Sequence, residues 1–127
     1  MVDKTAPAIP PESGPRPLSL HHRIHPDPEL LGAATSLFAM LSDPTRLHIL
    51  WQLGTGECDV TALTDAVGAS RTAVSQHLAK LRFTGLVDTR RDGRRIIYRL
   101  RDGHVGRLIA ESFNYADHRV TGEPAHE

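Results

Sequence analysis

Two short helical patterns separated by a three-residue turn constrain the fold of this chain more than any other feature. Residues 60–67 supply two helical turns that end at Gly68. Ser70 then begins a second pattern, in which apolar residues recur at helical spacing as far as Gly85. Helices this short, joined by Gly-Ala-Ser, pack against each other as a helix-turn-helix unit.

A β-hairpin is predicted directly after the second of these helices. Residues 86–91 and 95–100 are strand-like, and Asp92-Gly93 between them is a strong turn signal. The formal net charge of the chain is zero, yet residues 70–101 contain nine basic and two acidic side chains. Positive charge is therefore concentrated on one helix and one hairpin, as in a surface that binds nucleic acid.

Three further helices complete the predicted fold. Asp27-Pro28 and Asp43-Pro44 are helix-start signals, and apolar residues at helical spacing follow each of them. Asp102 caps a long amphipathic helix, whose apolar stripe consists of Val105, Leu108, Ile109, Ser112 and Phe113. The predicted fold is mainly α-helical with a β-hairpin wing, a winged helix-turn-helix. We expect the stripe and the first helix to form the interface of a homodimer.

The chain is expected to have three regions. Residues 1–26 are rich in proline and lack helical or alternating periodicity, which predicts a flexible arm that contains histidines. Residues 27–120 form the predicted DNA-binding and dimerisation domain, and residues 121–127 form a C-terminal tail.

Composition also limits where the chain works and what it does. A single cysteine, Cys58, excludes an internal disulfide framework and fits a reducing compartment, so the cytoplasm is the expected location. No apolar run approaches the length of a membrane span. The sequence contains neither His-Glu-x-x-His nor Gly-x-Ser-x-Gly, and its histidines are dispersed, so an enzyme is not expected.

The second helix of the motif has the side chains that read a major groove. Gln76 can pair with adenine, Thr72 can touch a thymine methyl group, and Arg71 can bind guanine or phosphate. Arginines of the hairpin can reach the DNA backbone alongside. The predicted DNA contacts are Ser70, Arg71, Thr72, Ser75, Gln76, Lys80, Arg90, Arg91, Arg94 and Arg95. The alternative is a protein-interaction module with ordinary surface arginines. His77, beside the apolar positions, is interpreted as a partly buried packing or hydrogen-bonding residue rather than a ligand.

Three segments of the chain, taken together, resemble the motifs of one protein family. They are Leu41-Ser42-Asp43-Pro44-Thr45-Arg46-Leu47, Val74-Ser75-Gln76-His77-Leu78-Ala79-Lys80-Leu81 and Arg91-Asp92-Gly93-Arg94-Arg95-Ile96-Ile97-Tyr98-Arg99-Leu100. In this order and spacing they resemble the ArsR/SmtB family of metal-responsive repressors, over roughly residues 28–120. The resemblance implies a homodimer that binds operator DNA when metal-free. Metal binding would release the DNA and derepress genes for efflux or detoxification.

Metal ligands are predicted at the two ends of the last helix. Asp102 and His104 lie at its start, and Asp117 and His118 lie at its end. These donors suit a borderline divalent ion. Fourteen residues separate the two histidines, or about 21 Å of helix, which is too far for one ion. If the last helices of a dimer run antiparallel, the start of each meets the end of the other, and two symmetric sites result.

The resemblance favours nickel or cobalt over zinc. Zinc-sensing members carry a second ligand pair near the helix end, but this chain has Tyr115 where that pair begins. Asp117 and His118 with the tail residue His126 resemble the nickel- and cobalt-sensing branch, which recruits tail ligands. These metals accept more than four donors. A zinc-sensing repressor remains the first alternative.

The sequence also leaves open further metal ligands and other regulatory signals. His21, His22 and His25 of the arm are accessory candidate ligands that could meet Cys58, where other family members bind soft metals through paired cysteines. With one cysteine, thiolate sensing of arsenic, lead or cadmium is not favoured. Cys58 could instead serve a redox-responsive repressor, or the repressor could be constitutive. Asp102 could also be a helix cap only, with the remaining donors on the surface.

Overall fold

The computed structural model describes residues 26–122 of the chain. The arm histidines and His126 lie outside the described residues. The elements are helices α1 (Pro28–Leu41), α2 (Pro44–Thr55), α3 (Val60–Val67) and α4 (Arg71–Phe83), strands β1 (Val87–Asp92) and β2 (Arg95–Leu100), and helix α5 (Gly103–Thr121). This order confirms the predicted helical fold with a two-stranded antiparallel wing. None of the described helices has the length and apolarity that a membrane crossing requires.

The chain divides into two units, one ending at Thr35 and one beginning at Ser36. In the first unit, the Asp27 carboxylate begins α1 by accepting a hydrogen bond from the Glu29 N–H at 2.8 Å. Leu30 and Leu31 of this unit are about half exposed, at 52% and 56%. Apolar surface is therefore open to solvent on this part of α1.

The second unit contains the core, to which every element from α2 to β2 and also α5 contributes. The buried apolar residues are Ile49, Leu50, Leu53, Leu63, Val74, Leu78, Leu81, Val87, Ile97, Val105 and Ile109. Because α4 turns its apolar side into this core, its opposite side faces solvent.

The turn between α3 and α4 forms as the sequence predicts. Gly68 ends α3 in the left-handed conformation, with φ of 70°, which a residue without a Cβ adopts readily. Two residues later, the Ser70 hydroxyl oxygen accepts a hydrogen bond from the Ala73 N–H at 3.1 Å and caps α4. These two local signals determine where the helix-turn-helix bends.

The wing turn lies one residue later than predicted. Asp92 pairs with Arg95 as the last rung of the ladder, so the two-residue turn is Gly93-Arg94 rather than Asp92-Gly93. Gly93 has a φ of 64°, and within residues 26–122 only glycines have a positive φ. Glycine at the first central position is the pattern of a type II′ hairpin turn, which places Asp92 in the strand.

The ladder register sorts the wing side chains onto two faces, because residues paired across an antiparallel ladder share a face and successive residues alternate. The α4 face contains the pairs Val87–Leu100, Thr89–Tyr98 and Arg91–Ile96. The opposite face contains Asp88–Arg99, Arg90–Ile97 and Asp92–Arg95. We call it the loop face, because its arginines pair with acidic residues of the loop between α2 and α3. Tyr98 lines a cavity with Ser75 and Ala79 of α4, which shows that the first face looks toward that helix.

Part of the apolar stripe of α5 packs within the chain. Val105 and Ile109 are buried in the core, with 7% and 2% exposure. The Phe113 ring stacks on Trp51 of α2, with 4.4 Å between ring centroids. For Val105 and Ile109 the prediction that the stripe faces a second subunit is wrong, because both are buried where α5 packs against its own chain. For Leu108 and Ser112 it stays a prediction. Tyr115 remains exposed farther along α5.

Candidate DNA-binding surface and metal-binding helix

The predicted DNA contacts of the helix-turn-helix share one side of α4 and its cap. All six are exposed: Ser70, Arg71, Thr72, Ser75, Gln76 and Lys80. Arg71 donates a hydrogen bond to the Thr61 hydroxyl of α3 at 3.1 Å, which fixes its guanidinium near the turn. Hydrogen-bonding side chains therefore lie on an exposed helix surface, as in helices that enter a major groove.

The four predicted wing arginines are all exposed, but they divide into two kinds. Arg90 lies 3.0 Å from a Glu57 carboxylate oxygen, and Arg95 lies 2.9 Å from one of Asp59. Arg91 and Arg94 have no hydrogen bond or ion pair to any other residue in the described range 26–122. Of these four guanidinium groups, two are paired and two are unpaired.

Glu57 and Asp59 belong to the loop between α2 and α3, and sequence reasoning assigned neither of them a role. Glu57 also lies 3.9 Å from Arg99 on the loop face. The pKa of Asp59 is lowered, first because its carboxylate accepts the Ala62 N–H at the start of α3 and second because Arg95 donates to it. The paired arginines are 33 and 36 positions away in sequence, so no local pattern could have revealed these contacts.

His77 is partly buried, as the sequence predicts. Its side chain is 20% exposed, and its Nε2 lies 3.8 Å from an Asp43 carboxylate oxygen. That distance is longer than a hydrogen bond. Nδ1 is buried and has no hydrogen-bond partner among the described residues. His77, on the inner side of α4, therefore packs next to Asp43, the residue that caps α2.

At the start of α5, Asp102 combines a capping role with an available oxygen. Its Oδ1 accepts the His104 N–H at 2.8 Å and the Val105 N–H at 3.4 Å. Its Oδ2 makes no hydrogen bond within residues 26–122, and the residue is exposed. Because one oxygen caps the helix and the other is open, Asp102 can cap α5 and ligate an ion at once.

His104 is exposed, but its Nδ1 is occupied by a neighbouring side chain. The Arg107 guanidinium lies 2.9 Å from that nitrogen. Arginine only donates, so Nδ1 is the acceptor and Nε2 carries the ring proton in the neutral imidazole. A metal at Nδ1 must displace Arg107, and a metal at Nε2 forces the proton onto Nδ1, which then cannot accept. Sequence reasoning missed Arg107, although a spacing of three on a helix places such pairs together.

Asp117 and His118 lie in the last turns of α5. Asp117 is exposed, whereas His118 is half-buried. The Nδ1 of His118 is buried without a hydrogen-bond partner in the part of the chain described here. A ligand would therefore approach its Nε2. Since α5 is one continuous helix, this pair stands about 21 Å from His104.

The structure does not bring the two donor pairs of one chain together. Among residues 26–122, no group of three or more His, Cys, Asp or Glu side chains could hold a metal ion. His126 and the arm histidines are outside the described residues, so their contribution stays a prediction. The donors at each end of α5 fit a divalent ion only as half of a site.

Cys58 is half-buried and joined to the wing through its backbone. Its N–H donates to the Tyr98 carbonyl at 3.2 Å, and the Tyr98 N–H donates back at 2.8 Å. Burial, and next the neighbouring Asp59 carboxylate, raise the pKa of the thiol above its usual value. A raised pKa disfavours the thiolate, which is the reactive form of cysteine.

Comparison with known proteins identifies the family. Residues 43–89, which include the helix-turn-helix, match the family of bacterial regulatory proteins called the arsR family. The chain is 43% identical over 115 residues to the HTH-type transcriptional regulator KmtR of Mycobacterium tuberculosis, covering 91% of this chain and 82% of that protein. This chain belongs to the ArsR family of bacterial regulators. It is also 40% identical over 96 residues to the regulator NmtR of the same organism, covering 76% of this chain and 80% of NmtR.

A solved structure supports the same assignment at the level of the fold. The homodimeric winged helix-turn-helix DNA-binding domain of Mb0332 from Mycobacterium bovis matches with a TM-score of 0.69 and 32% identity. The match covers 87% of this chain and 97% of that domain. Membership in the ArsR family confirms the predicted winged helix-turn-helix fold. It also confirms that the chain is a DNA-binding transcriptional regulator rather than an enzyme.

Proposed function

We propose that this ArsR-family regulator is a cytoplasmic repressor that binds operator DNA as a homodimer and releases it when a divalent transition metal binds, nickel or cobalt ahead of zinc. The carrying observation is the position of two donor pairs at opposite ends of one helix. Asp102 and His104 begin α5, and Asp117 and His118 lie near its end. Each pair supplies carboxylate and imidazole donors, which suit these ions.

The metal site of this proposal is shared between subunits. The start of α5 in one subunit meets the end of α5 in its partner, and symmetry produces two such sites. Asp102 supplies Oδ2, since Oδ1 caps the helix. His118 supplies Nε2, since its Nδ1 is enclosed. His126 adds a tail donor, which favours metals that accept more than four ligands. His21, His22 and His25 remain accessory candidates.

Coupling to DNA follows from where α5 begins. Asp102 is two residues beyond the last residue of β2, so a change at the start of α5 acts directly on the wing. A cavity of about 580 Å³ at this junction is lined by Asp102 together with Glu57 and Arg99. Metal binding favours a dimer whose two α4 helices no longer match successive major grooves, about 34 Å apart. Allosteric coupling of this kind is typically about 1–3 kcal/mol.

The raised pKa of Cys58 does not support the redox alternative. The zinc alternative shares the same helix, so the order of metal potency decides between them.

The test titrates chelator-stripped protein, bound to fluorescent DNA from upstream of its own gene, with nickel, cobalt and zinc while anisotropy is followed. We expect release at lower concentrations of nickel or cobalt than of zinc. His104→Ala should still bind the DNA and should not be released by metal. His48→Gln removes a histidine of α2 outside the ligand set and should respond like the unaltered protein. Release by zinc alone would support the zinc alternative, and no release by any metal would contradict the proposal.

A further inference from the structure

The arginines on the loop face of the wing are held by acidic residues of the same chain. Glu57 lies 3.0 Å from Arg90 and 3.9 Å from Arg99, and Asp59 lies 2.9 Å from Arg95. A wing that meets the DNA backbone needs unpaired positive charge. Each of these carboxylates competes with phosphate for a guanidinium group, and each also repels phosphate directly.

The remaining positive charge of the wing lies elsewhere. Arg91 is on the α4 face, and Arg94 is in the turn. Neither has a hydrogen bond or an ion pair within the described residues 26–122. The guanidinium groups open to phosphate are therefore at the wing tip and on the side of α4, whose polar surface carries the predicted base contacts.

We propose that Glu57 and Asp59 are positioning residues of the DNA-binding surface, which hold and neutralise the loop-face arginines so that the wing contacts phosphate through Arg91 and Arg94. One exposed ion pair is weak, but two carboxylates and three arginines form a network on one face. The network limits sequence-independent attraction to DNA while leaving α4 free to read bases. This inference concerns the metal-free protein and goes beyond the metal response.

The salt dependence of DNA binding measures the effect. For duplex DNA, the logarithm of affinity falls with the logarithm of salt concentration by about 0.9 per neutralised phosphate. Glu57→Gln frees Arg90 and Arg99 without changing side-chain size. We expect at least one added phosphate contact and a slope steeper by about 0.9, on random-sequence duplex as well as on the upstream DNA. The affinity change between about 50 and 200 mM salt should then be about 3.5-fold larger than for the unaltered protein.

Asp59→Asn is a second, independent variant. Asparagine caps a helix as well as aspartate does, so α3 keeps its cap while Arg95 loses its charged partner. The slope should steepen in the same direction as for Glu57→Gln. Circular dichroism and thermal unfolding of both variants check that the fold is retained.

Two controls separate local release from a general change in charge. Glu111→Gln removes the same charge from α5, where Glu111 is exposed and has no hydrogen bond or ion pair within residues 26–122. Its slope should stay at the original value. Adding Arg90→Ala to Glu57→Gln should return the slope toward that value. An unchanged slope in folded Glu57→Gln and Asp59→Asn would overturn the proposal, and so would a shallower slope with weaker binding.

Discussion

Removing Arg107 should strengthen metal binding, because its hydrogen bond to His104 must break when a metal binds that histidine. The Arg107 guanidinium donates to Nδ1 of His104 at 2.9 Å. Metal ligation through either ring nitrogen breaks this hydrogen bond, since arginine cannot accept one. Breaking this hydrogen bond therefore reduces the favourable free energy of metal binding in the unaltered protein but not in the Arg107→Ala variant.

The structure sets the size of the effect. Both side chains are exposed, and a hydrogen bond between exposed groups contributes about 0.5–1 kcal/mol, at the low end of the usual range. At 1.36 kcal/mol per factor of ten, its removal corresponds to metal affinity about 2- to 5-fold higher for Arg107→Ala. In Arg107→Lys, the positive charge is retained and the planar fork is lost. That variant shows whether repulsion by the charge alone accounts for the change.

Competition between the protein and a chromophoric chelator for nickel or cobalt measures this affinity directly. Arg107→Ala is expected to bind more tightly, and combining it with His104→Ala should abolish the gain. If Arg107→Ala binds metal no more tightly than the unaltered protein, the role of His104 Nδ1 described above is wrong. An equal gain in the unaltered and His104→Ala backgrounds would also refute the reasoning.

Three further predictions concern stability and its relation to DNA binding. Leu81→Ala should lower the free energy of unfolding by about 2–5 kcal/mol in urea titrations, because Leu81 is fully buried, whereas Phe83→Ala on the same helix should change it little, since Phe83 is 93% exposed. Ser70→Ala should cost about 1 kcal/mol through loss of the α4 cap; Ser70→Asp should keep the cap but weaken DNA binding in anisotropy titrations, because it places negative charge at the DNA surface. Hydrogen bonds from the Arg46 and Ala62 N–H groups lower the pKa values of Asp43 and Asp59 below 3.8, so the stability they add is present above that pH and is lost as the pH falls through the lowered values. Thermal unfolding between about pH 6 and pH 2.5 should therefore show a smaller loss on acidification for Asp59→Asn than for the unaltered protein, and an equal loss would contradict this origin.

Local signals predicted the elements well because each is set by neighbours in sequence. Asp43 caps α2, Ser70 caps α4, and Gly68 takes the left-handed conformation between α3 and α4. The wing turn shifted by one residue because Gly93 takes the first central position of the turn, so Asp92 stays in the ladder. Such signals depend on a few dihedral angles and short hydrogen bonds, which the sequence displays directly.

Contacts between distant segments were not predictable in the same way. The stripe of α5 has the periodicity of any buried helix face, and periodicity does not distinguish burial in the same chain from burial against a partner. For this reason the sequence did not predict that Val105 and Ile109 lie in the chain's own core. The pairing of Glu57 with Arg90 depends on how the loop packs against the wing, which the spacing of residues in the sequence does not indicate. The Arg107–His104 contact did have a signal, since residues three apart on a helix are neighbours.

The sharing of metal donors between two subunits is tested most directly by mixing two inactive variants. His104→Ala removes a donor at the start of α5, and His118→Ala removes one at its end, so each homodimer has two damaged sites. A dimer containing one subunit of each variant has one site with both losses and one intact site. After subunit exchange, about half of the dimers should be mixed, and chelator competition should detect tight nickel or cobalt sites that neither variant has alone. Recovery of these sites on mixing is the predicted result, and no recovery in a mixture shown to contain mixed dimers would contradict a site shared between the two helices.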